Sequence, residues 1–252
     1  MTVRAITFDF WGTLLFDPPS SDNRYKTRRM KDFEMILAGA GARVALPTLE
    51  RAYEASGAYL GRVWADHRDV PVIEHVRAIV AAADAKLPAR LSADVFAALV
   101  DAYARPVLMV PPAVDDGALK AVTVLFDRGY KLAVVSNTMR TPGATLRKLL
   151  ERYGLLARFA HVVFSDEVGV RKPDPAIFLG ALKALGAEAA AAIHVGDDTV
   201  LDVEGAHAAG MRAVLVGTAP VRARGARQPD AVVSRLGEVP EAIARLDVSP
   251  PL

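Results

Sequence analysis

The chain has 252 residues, about half of them apolar, which is enough to build one large domain or two smaller ones around a sizeable core. Its small net charge of +2 gives no reason to expect a nucleic-acid partner, although a pI near 8.9 is compatible with small anionic substrates. The absence of cysteine excludes disulfides and thiolate chemistry, and the absence of a leader pattern or of about 18 successive apolar residues predicts a cytoplasmic protein without membrane spans.

The first predicted element is an apolar strand that ends at a charged residue, Asp9, within the stretch ITFDFWGTLL (residues 6–15). Trp11 follows two places later, and Gly12 and Thr13 form a tight turn behind it. We expect Trp11 to pack between two parts of the fold, with contact to a substrate as the alternative. A lone aspartate at the end of a strand is more often a helix cap than a functional group. This element alone therefore leaves the role of Asp9 open.

Residues 16–110 are predicted to be helical throughout, because apolar residues recur at three- and four-residue spacing and no alternating strand pattern interrupts them. The clearest stretches are 29–41, 48–67, 72–87 and 92–106. A basic run near the start of this region is interpreted as a solvated helix face, with contact to an anionic substrate as the alternative. Its members are Arg24, Lys26, Arg28 and Arg29.

After Pro111 and Pro112 the pattern changes to short strands that alternate with helices, which predicts βαβ units and a parallel sheet. The predicted strands are 131–136, 161–165, 192–197, 211–217 and 230–234. The intervening helices are predicted to begin at Asp115 or Asp116, at Thr141 with Pro142, and at Asp174 with Pro175. The first of these helices is predicted to bury one face, made of Leu119, Val122, Leu125 and Phe126. His194 is predicted to pack inside its strand.

Polar side chains follow four of these segments, at the edge of the sheet where ligands bind in open α/β folds. They are Asp9 and Thr13; Ser136 and Asn137; Lys172; and Asp197, Asp198 and Asp202. Clustered carboxylates are unfavourable unless a cation lies among them, and hard oxygen ligands suit Mg²⁺ better than zinc. A lysine and a hydroxyl beside that metal would bind a dianion such as phosphate, which an aspartate can attack at phosphorus.

The four segments resemble, in order, the four motifs of the haloacid dehalogenase-like (HAD) superfamily. They read DFWGTLL, VVSN, VGVRKPDP and HVGDDTVLDVEGAHAAGM. The resemblance covers residues 1–15 and 112–252, and it implies a catalytic core of the α/β class with a Rossmann-like parallel sheet. Residues 16–111 lie where the family inserts an all-helical cap of the C1 type, so we expect a cap there.

The resemblance also implies a Mg²⁺ site at the edge of the sheet. Asp9 and Asp197 would be direct metal ligands, and Trp11 would contribute its backbone carbonyl. Asp202 would position the metal or its waters. Asp198 would do the same, unless it only caps the following helix, and the two interpretations weigh equally.

The implied catalytic roles belong to residues from the first three motifs. Asp9 would be the nucleophile, and the hydroxyl of Thr13 would support it within the turn. Ser136, with Asn137 beside it, would bind the group being transferred. Lys172 would hold both the nucleophile and the phosphoryl oxygens.

One position departs from the family pattern. Family phosphatases usually carry an acid–base aspartate two residues after the nucleophile, whereas here Trp11 has no usable acid–base pKa. The substrate would then need a good leaving group, the reaction would be slow, or a cap residue would substitute. The 2-haloacid dehalogenases similarly have an aromatic residue there and use no metal, but the Gly196-Asp197 pair resembles the metal-type fourth motif.

We therefore predict a Mg²⁺-dependent hydrolase that acts on a small phosphorylated metabolite through an aspartyl-phosphate intermediate, with no nucleic-acid or membrane partner. Two alternatives stay open. One is a metal-independent 2-haloacid dehalogenase, and the other is a weakly active or non-catalytic binding protein. The sequence indicates neither the substrate nor the oligomeric state.

Overall fold

The computed structural model describes residues 2–17, 20–217 and 227–247, so residues 1, 18–19, 218–226 and 248–252 of the predicted core and cap lie outside the described residues. Its strands are β1 (Ala5–Phe8), β2 (Leu15–Phe16), β3 (Ala113–Val114), β4 (Lys131–Ser136), β5 (His161–Phe164), β6 (Ala192–Gly196), β7 (Arg212–Val216) and β8 (Ala231–Val233). Its α-helices are α1 (Ser21–Gly39), α2 (Leu46–Ala65), α3 (Val72–Ala83), α4 (Ala93–Ala104), α5 (Pro106–Met109), α6 (Ala118–Asp127), α7 (Gly143–Arg152), α8 (Ser165–Val168), α9 (Pro175–Leu185), α10 (Gly205–Ala208) and α11 (Val239–Leu246). A π-helix at Thr199–Glu204 leads directly into α10. Within the described ranges, none of the helices is both long enough and apolar enough to cross a lipid bilayer.

Six of the strands form one sheet in which all neighbours are parallel, and this confirms the predicted α/β class. The strand order is β5-β4-β1-β6-β7-β8. The chain therefore builds outward from β1 through β4 and β5, and then crosses to build β6, β7 and β8 on the other side. Ligands bind outside the carboxyl ends of the strands at such a reversal of winding, which is where Asp9 follows β1.

Alternate residues of the strands pack into two separate apolar layers, one on each face of the sheet. Ile6 and Phe8 of β1 belong to a layer that includes residues of helices α6, α7 and α11. Ala5 belongs to the opposite layer, which is completed by helices α9 and α10. Because both faces are covered, a polar strand residue such as Thr7, which is fully buried, must find a partner inside the fold.

Helices α1 to α4 pack around a third apolar cluster that contains no residue of the sheet. Its largest fully buried members include Met30, Phe33, Leu49 and Tyr103. This confirms the predicted helical region, although α1 begins at Ser21, well before the predicted stretch 29–41. An antiparallel ribbon of β2 and β3 leads the chain into these helices and back, and it lies beside the predicted boundaries at 15/16 and 111/112.

Most helix ends in the core follow the local sequence. The Asp174 side chain caps α9, which ends at Gly186 with a φ of 60°, as predicted. The prediction that Thr141 caps α7 was wrong, because a carboxylate distant in the sequence, Asp166, caps this helix instead. The N–H of Gly143, the first residue of α7, donates to both Asp166 oxygens at 3.2 Å.

The predicted buried face of α6 was only half correct. Val122 and Leu125 are buried together with alanines of the same helix, whereas Leu119 and Phe126 are 43% and 48% exposed. The two exposed residues are seven positions apart, so they lie together on one side of the helix, at the margin of the buried stripe. Asp115 accepts a hydrogen bond from the N–H of the residue before α6, which places it in the turn that starts this helix.

The loop between α2 and α3 is bound to the core loop that follows α8. Main-chain hydrogen bonds join Arg171 to His67 and Asp69 to Gly169, at 2.9 and 3.1 Å. The buried Asp69 carboxylate lies 2.6 Å from the Arg171 guanidinium and accepts a hydrogen bond of 2.5 Å from the Ser165 hydroxyl. We call the Asp69–Arg171 pair the cap latch, since it joins the helical region to the core opposite the ribbon.

His75 is buried in α3, where its ring meets the rings of Trp64 and Tyr103 edge-on. Burial lowers the pKa of His75 from 6.5 to about 4; Asp69 opposes this shift, and nearby arginines add to it. The arginines are Arg140, Arg29 and Arg171. His75 is therefore neutral in the folded protein at any pH well above 4.

We predict that His75 makes the fold less stable in acid. Between pH 6.5 and about 4, a proton binds the histidine of the unfolded chain but not that of the folded one. From about pH 7.5 to about pH 5, this linkage should lower the free energy of unfolding by about 2 kcal/mol. Urea unfolding at both pH values measures the loss, and the His75→Phe variant should lack that part of it. An equal loss in both proteins would contradict the prediction.

Candidate active site

Asp9 lies at the carboxyl end of β1 and is only 6% exposed. Its N–H donates to the carbonyl of Val195 in β6 at 2.9 Å, so the neighbouring strand fixes its backbone. Directly after it, the turn at Gly12 has a φ of 78°, a conformation that favours glycine. A Cβ atom at Gly12 would lie 2.3 Å from Oδ2 of Asp197, so only glycine lets these two segments approach.

Lys172 lies between two of the predicted acidic residues. Its Nζ atom is 2.5 Å from Oδ1 of Asp9 and 2.6 Å from Oδ1 of Asp202, and all three side chains are buried. Asn137 fixes the lysine main chain from both sides. Its Oδ1 accepts from the Lys172 N–H at 2.8 Å, and its Nδ2 donates to the Lys172 carbonyl at 3.0 Å. The Asn137 side chain thus positions the lysine, in addition to closing a turn.

A buried hydrogen-bond chain continues behind Lys172. His194 Nε2 is 3.0 Å from Oδ1 of Asp202, and His194 Nδ1 is 2.7 Å from the Thr7 hydroxyl. His194 is inside its strand, as predicted, but its contact with Asp202 was not predicted. The pairing of Thr7 with His194 across β1 and β6 could have suggested it, had the strand order been known.

Three carboxylates come together at this edge of the sheet. Oxygen atoms of Asp9, Asp197 and Asp202 all lie within 4.8 Å of one another. A Cβ atom at Gly196 would lie 2.2 Å from Cγ of Asp202, so this close approach also depends on a glycine. Three hard oxygen donors at this separation suit a small divalent cation such as Mg²⁺.

The remaining acidic residue, Asp198, is not among these three. Its Oδ1 accepts from the N–H groups of Val200 and Leu201 at 2.7 and 2.8 Å, so the side chain caps the π-helix. Its own N–H donates to Oδ2 of Asp202 at 2.9 Å. Of the two interpretations left open for Asp198, the structure shows the helix cap, and Asp198 contributes to the cluster by orienting Asp202.

The charges of the cluster are set by burial and by Lys172. Burial raises the pKa of Asp9 to about 6, although the Lys172 ammonium opposes the shift. Burial alone would also raise the pKa of Asp202, but Lys172 and His194 outweigh it and hold this pKa well below its usual range. Burial raises the pKa of Asp197 as well, and the charge of Asp202 adds to this rise. The positive charge of Lys172 therefore balances the charge of one carboxylate fully and that of a second in part. The cluster keeps negative charge that a further cation can balance.

Thr13 is placed differently from what we expected. Its hydroxyl donates to Oδ1 of Asp197 at 3.3 Å and not to Asp9, because the Gly12 turn brings the segment after Asp9 against Asp197. Ser136 ends β4 and is buried, with its hydroxyl 3.4 Å from the carbonyl of Asn137. The role of Ser136 in binding the transferred group stays a prediction.

Trp11 packs edge-on against Phe10, with the ring centroids 4.9 Å apart. It also packs against the apolar layer that contains Ile6 and Phe8. Its buried Nε1–H has no hydrogen-bond partner among the described residues. The placement agrees with the packing role expected for this residue. Its carbonyl as a metal ligand stays a prediction.

A cavity of about 510 Å³ lies between the sheet edge and the helical region. The core lines it with Trp11 and Gly12, directly after Asp9, and with residues 139–141 after β4. Helices α1 and α2 line the other side and contribute Tyr53 and Trp64 among others. The cavity thus begins beside the end of β1 and extends to helices α1 and α2.

Only two of the four residues in the basic run of α1 line this cavity. Lys26 and Arg29 line it, whereas Arg24 and Arg28 are exposed and line an outward-facing groove. The interpretation as a solvated face is therefore confirmed for Arg24 and Arg28 and wrong for Arg29, which is 2% exposed. Arg140, which sequence reasoning did not single out, also lines the cavity.

Comparison with known proteins is consistent with this site. The family model of haloacid dehalogenase-like hydrolases matches residues 3–210. The chain is 34% identical to the phosphoglycolate phosphatase of Rhodospirillum rubrum, over 84% of this chain and 79% of that protein. It is 30% identical to the glyceraldehyde 3-phosphate phosphatase of Methanopyrus kandleri, over 85% of this chain and 84% of that protein.

Other similarities cover less or show only the fold. The chain spans between 34% and 49% of the length of the mouse, zebrafish and bovine proteins named haloacid dehalogenase-like hydrolase domain-containing protein 3. The solved 2-haloacid dehalogenase from Pseudomonas syringae pv. Tomato superposes with a TM-score of 0.69, at 24% identity over 97% of this chain and 99% of that one. At that identity the superposition supports the fold, including the helical insertion, and not the reaction.

We predict that Asn137→Ala lowers both stability and turnover, because it removes both side-chain hydrogen bonds to the Lys172 main chain. The loss of two buried hydrogen bonds should reduce the free energy of unfolding by about 2–3 kcal/mol. Urea unfolding measures this change. Activity is then compared at a temperature where circular dichroism shows the variant fully folded, and wild-type turnover there would contradict a positioning role for Asn137.

Proposed function

We propose that this chain, which belongs to the haloacid dehalogenase-like hydrolase family, is a Mg²⁺-dependent phosphatase that acts on a small phosphorylated metabolite. One observation carries the proposal: the buried Asp9 carboxylate touches the Lys172 ammonium and shares its pocket with two more carboxylates. This pocket combines a nucleophile, a fixed cation and oxygen ligands for a metal ion. The phosphatase names of relatives that align with most of the chain support the same reaction class.

The reaction that we propose has two steps at Asp9. A carboxylate oxygen of Asp9 attacks phosphorus, and the bond from phosphorus to the ester oxygen breaks, so the alkoxide leaves and takes up a proton. Water then attacks the aspartyl-phosphate, which releases inorganic phosphate and restores the carboxylate. Lys172 remains beside Asp9 and the phosphoryl oxygens, where its charge offsets the negative charge that builds up in each transition state.

Asp9, Asp197 and Asp202 would hold the Mg²⁺ ion, with the Trp11 carbonyl as a further ligand. When bound, the ion would supply positive charge that stabilises the phosphoryl oxygens. The chain's own residues prepare this site. Thr13 orients Asp197, and the N–H of Asp198 orients Asp202. Asn137 holds Lys172 where it can meet Asp9.

The position normally occupied by a general acid is the one weak point for this chemistry. Trp11 cannot protonate the leaving alkoxide, since its indole N–H has no useful acidity. General acid–base help is commonly worth about 10²–10⁴-fold in rate. We therefore propose that the enzyme prefers phosphates with good leaving groups or turns over alkyl phosphates slowly.

A dehalogenase is the second candidate, because an aromatic residue stands at position 11. In that reaction Asp9 would attack carbon and displace halide, and no carboxylate cluster would be needed. The approach of carboxylate oxygens of Asp9, Asp197 and Asp202 to within 4.8 Å of one another favours the phosphatase.

We predict that the protein releases inorganic phosphate from small phosphate esters or acyl phosphates only when Mg²⁺ is present. Chelation with EDTA should reduce the rate to background, and added Mg²⁺ should restore it. Asp9→Asn should also reduce the rate to background while circular dichroism shows an intact fold. Halide release from 2-haloacids that continues in EDTA would assign the dehalogenase reaction, and retained phosphate release in Asp9→Asn would remove Asp9 from its role.

We predict that Trp11→Asp raises kcat on alkyl phosphates by about 10²-fold, because it supplies the missing acid–base group. Trp11→Asn is the matched control, since it has the same size but cannot donate a proton at neutral pH. Phosphate release is measured for both variants after their fold and Mg²⁺ binding have been checked. Equal rates for the two variants would show that leaving-group protonation does not limit the reaction.

A further inference from the structure

The cavity beside Asp9 contains two arginines that, within the described residues, have no carboxylate in contact. Arg29 and Arg140 both line it, and no carboxylate of the described residues lies within 4.0 Å of either guanidinium. The third cation in the lining, Lys26, is paired with Glu54 at 2.6 Å. A cation kept away from water without a counter-ion is costly, so its presence in a cavity points to a ligand that brings the opposite charge.

Arg29 forms the base of this positive region. Its Nε donates to the carbonyl of Tyr103 at 2.7 Å, and its terminal nitrogens donate to the Tyr53 hydroxyl and the Arg140 carbonyl at 3.1 and 2.8 Å. The guanidinium also lies over the Tyr103 ring, 4.3 Å from its centroid. All these partners are neutral. Arg29 is therefore fixed in place with no carboxylate of the described residues in contact. It acts at longer range on the exposed Asp17, since burial raises the pKa of this carboxyl and the Arg29 charge opposes the rise.

Arg140 is the more accessible of the two arginines. It is half-buried, and it reaches from the loop after β4 to helix α2 of the cap. Its terminal nitrogens donate to the Ser56 hydroxyl at 3.1 Å and to the Tyr53 carbonyl at 3.4 Å, and its guanidinium stacks on the Tyr53 ring at 4.0 Å. These neutral contacts hold the planar group in one orientation and leave its charge available.

The acidic residues that line the cavity are more accessible to solvent than its two arginines. Asp17, Asp22 and Glu54 are all exposed, whereas Arg29 is buried and Arg140 half-buried. Because exposed charges are screened by solvent and buried ones are not, the inner part of the cavity is positive. Trp11, Tyr53 and Trp64 complete its walls with aromatic surface, which leaves the arginines as the groups that can select a charged ligand.

We propose that Arg140, supported by Arg29, binds a second anionic group on the substrate, so that the preferred substrates are small phosphorylated carboxylic acids. This proposal rests on the phosphatase function proposed above, because it assigns the phosphoryl group to Asp9 and Lys172. A carboxylate is the group that fits best, since its two oxygens match the planar fork of a guanidinium. Arg140 is thus a specificity residue, distinct from those that perform the reaction.

The test compares two non-hydrolysable ligands by isothermal titration calorimetry, with Mg²⁺ present. Phosphonoacetate carries a phosphonate and a carboxylate, and propylphosphonate replaces the carboxylate with an ethyl group. The wild type should bind phosphonoacetate about 10- to 100-fold more tightly, as expected for hydrogen bonds to a charged group. Trp11 and Trp64 are the two tryptophans of the sequence and both line the cavity, so a change in their fluorescence would locate the ligand there.

Three variants assign the effect to its residue. Arg140→Gln keeps a polar side chain but removes the charge, and it should abolish the preference. Arg140→Lys restores the charge without the fork and should recover part of it. Arg51→Gln removes an equal charge from an exposed position on α2, where the side chain donates to the Thr48 hydroxyl at 3.1 Å, and it should behave as the wild type.

Other outcomes would overturn the proposal. Equal affinity of the wild type for both ligands would do so, as would a preference that persists in Arg140→Gln. Tighter binding of methylenediphosphonate than of phosphonoacetate would assign a second phosphoryl group in place of the carboxylate. Phosphate release measured on the same proteins separates this proposal from the function it rests on. A binding preference without turnover would contradict the phosphatase, whereas turnover without a preference would contradict only the role of Arg140.

Discussion

The site depends on one contact, in which the Lys172 ammonium lies between Asp9 and Asp202. Both carboxylates are buried, and burial alone would favour their protonated forms. The lysine keeps Asp202 charged and opposes the rise in the pKa of Asp9. The surrounding structure serves to keep this cation in place. Asn137 holds the lysine main chain, and the central position of β1 brings Asp9 to it.

The residues of the site that directly follow a strand or a motif could be predicted from the sequence. A parallel sheet brings all its carboxyl ends to one edge, so residues far apart in the chain could be expected to meet there once the strands were recognised. Asp9, Lys172, Asp197 and Asp202 do meet. The sequence could not tell which neighbouring carboxylate turns inward, so the cap role of Asp198 was left open.

The contacts that the sequence missed are all long-range. Thr13 was expected beside Asp9, but the close approach at Gly12 brings it to Asp197 instead. Arg29 was predicted to lie on a solvated face. It is buried partly by the loop that holds Arg140 and Thr141, and this contact is far away in the sequence. In each case the partner lies on another element, and no local pattern encodes the distance between them. The acidic cluster and Lys172 thus lie at the sheet edge, while the wall around Arg29 and Arg140 is formed by contacts between the loop after β4 and helices α1 and α2.

The cap latch joins the helical region to Lys172 through the covalent chain. The buried Asp69 carboxylate binds Arg171, and Arg171 directly precedes Lys172 in the chain. The ion pair therefore restrains the main chain next to the lysine. A chimaera that grafts a foreign helical insertion onto this core would leave the Arg171 guanidinium without its counter-ion. Removing one partner of a buried ion pair typically costs about 3–5 kcal/mol. A replacement of the helical region would therefore have to supply an acidic group at the same point.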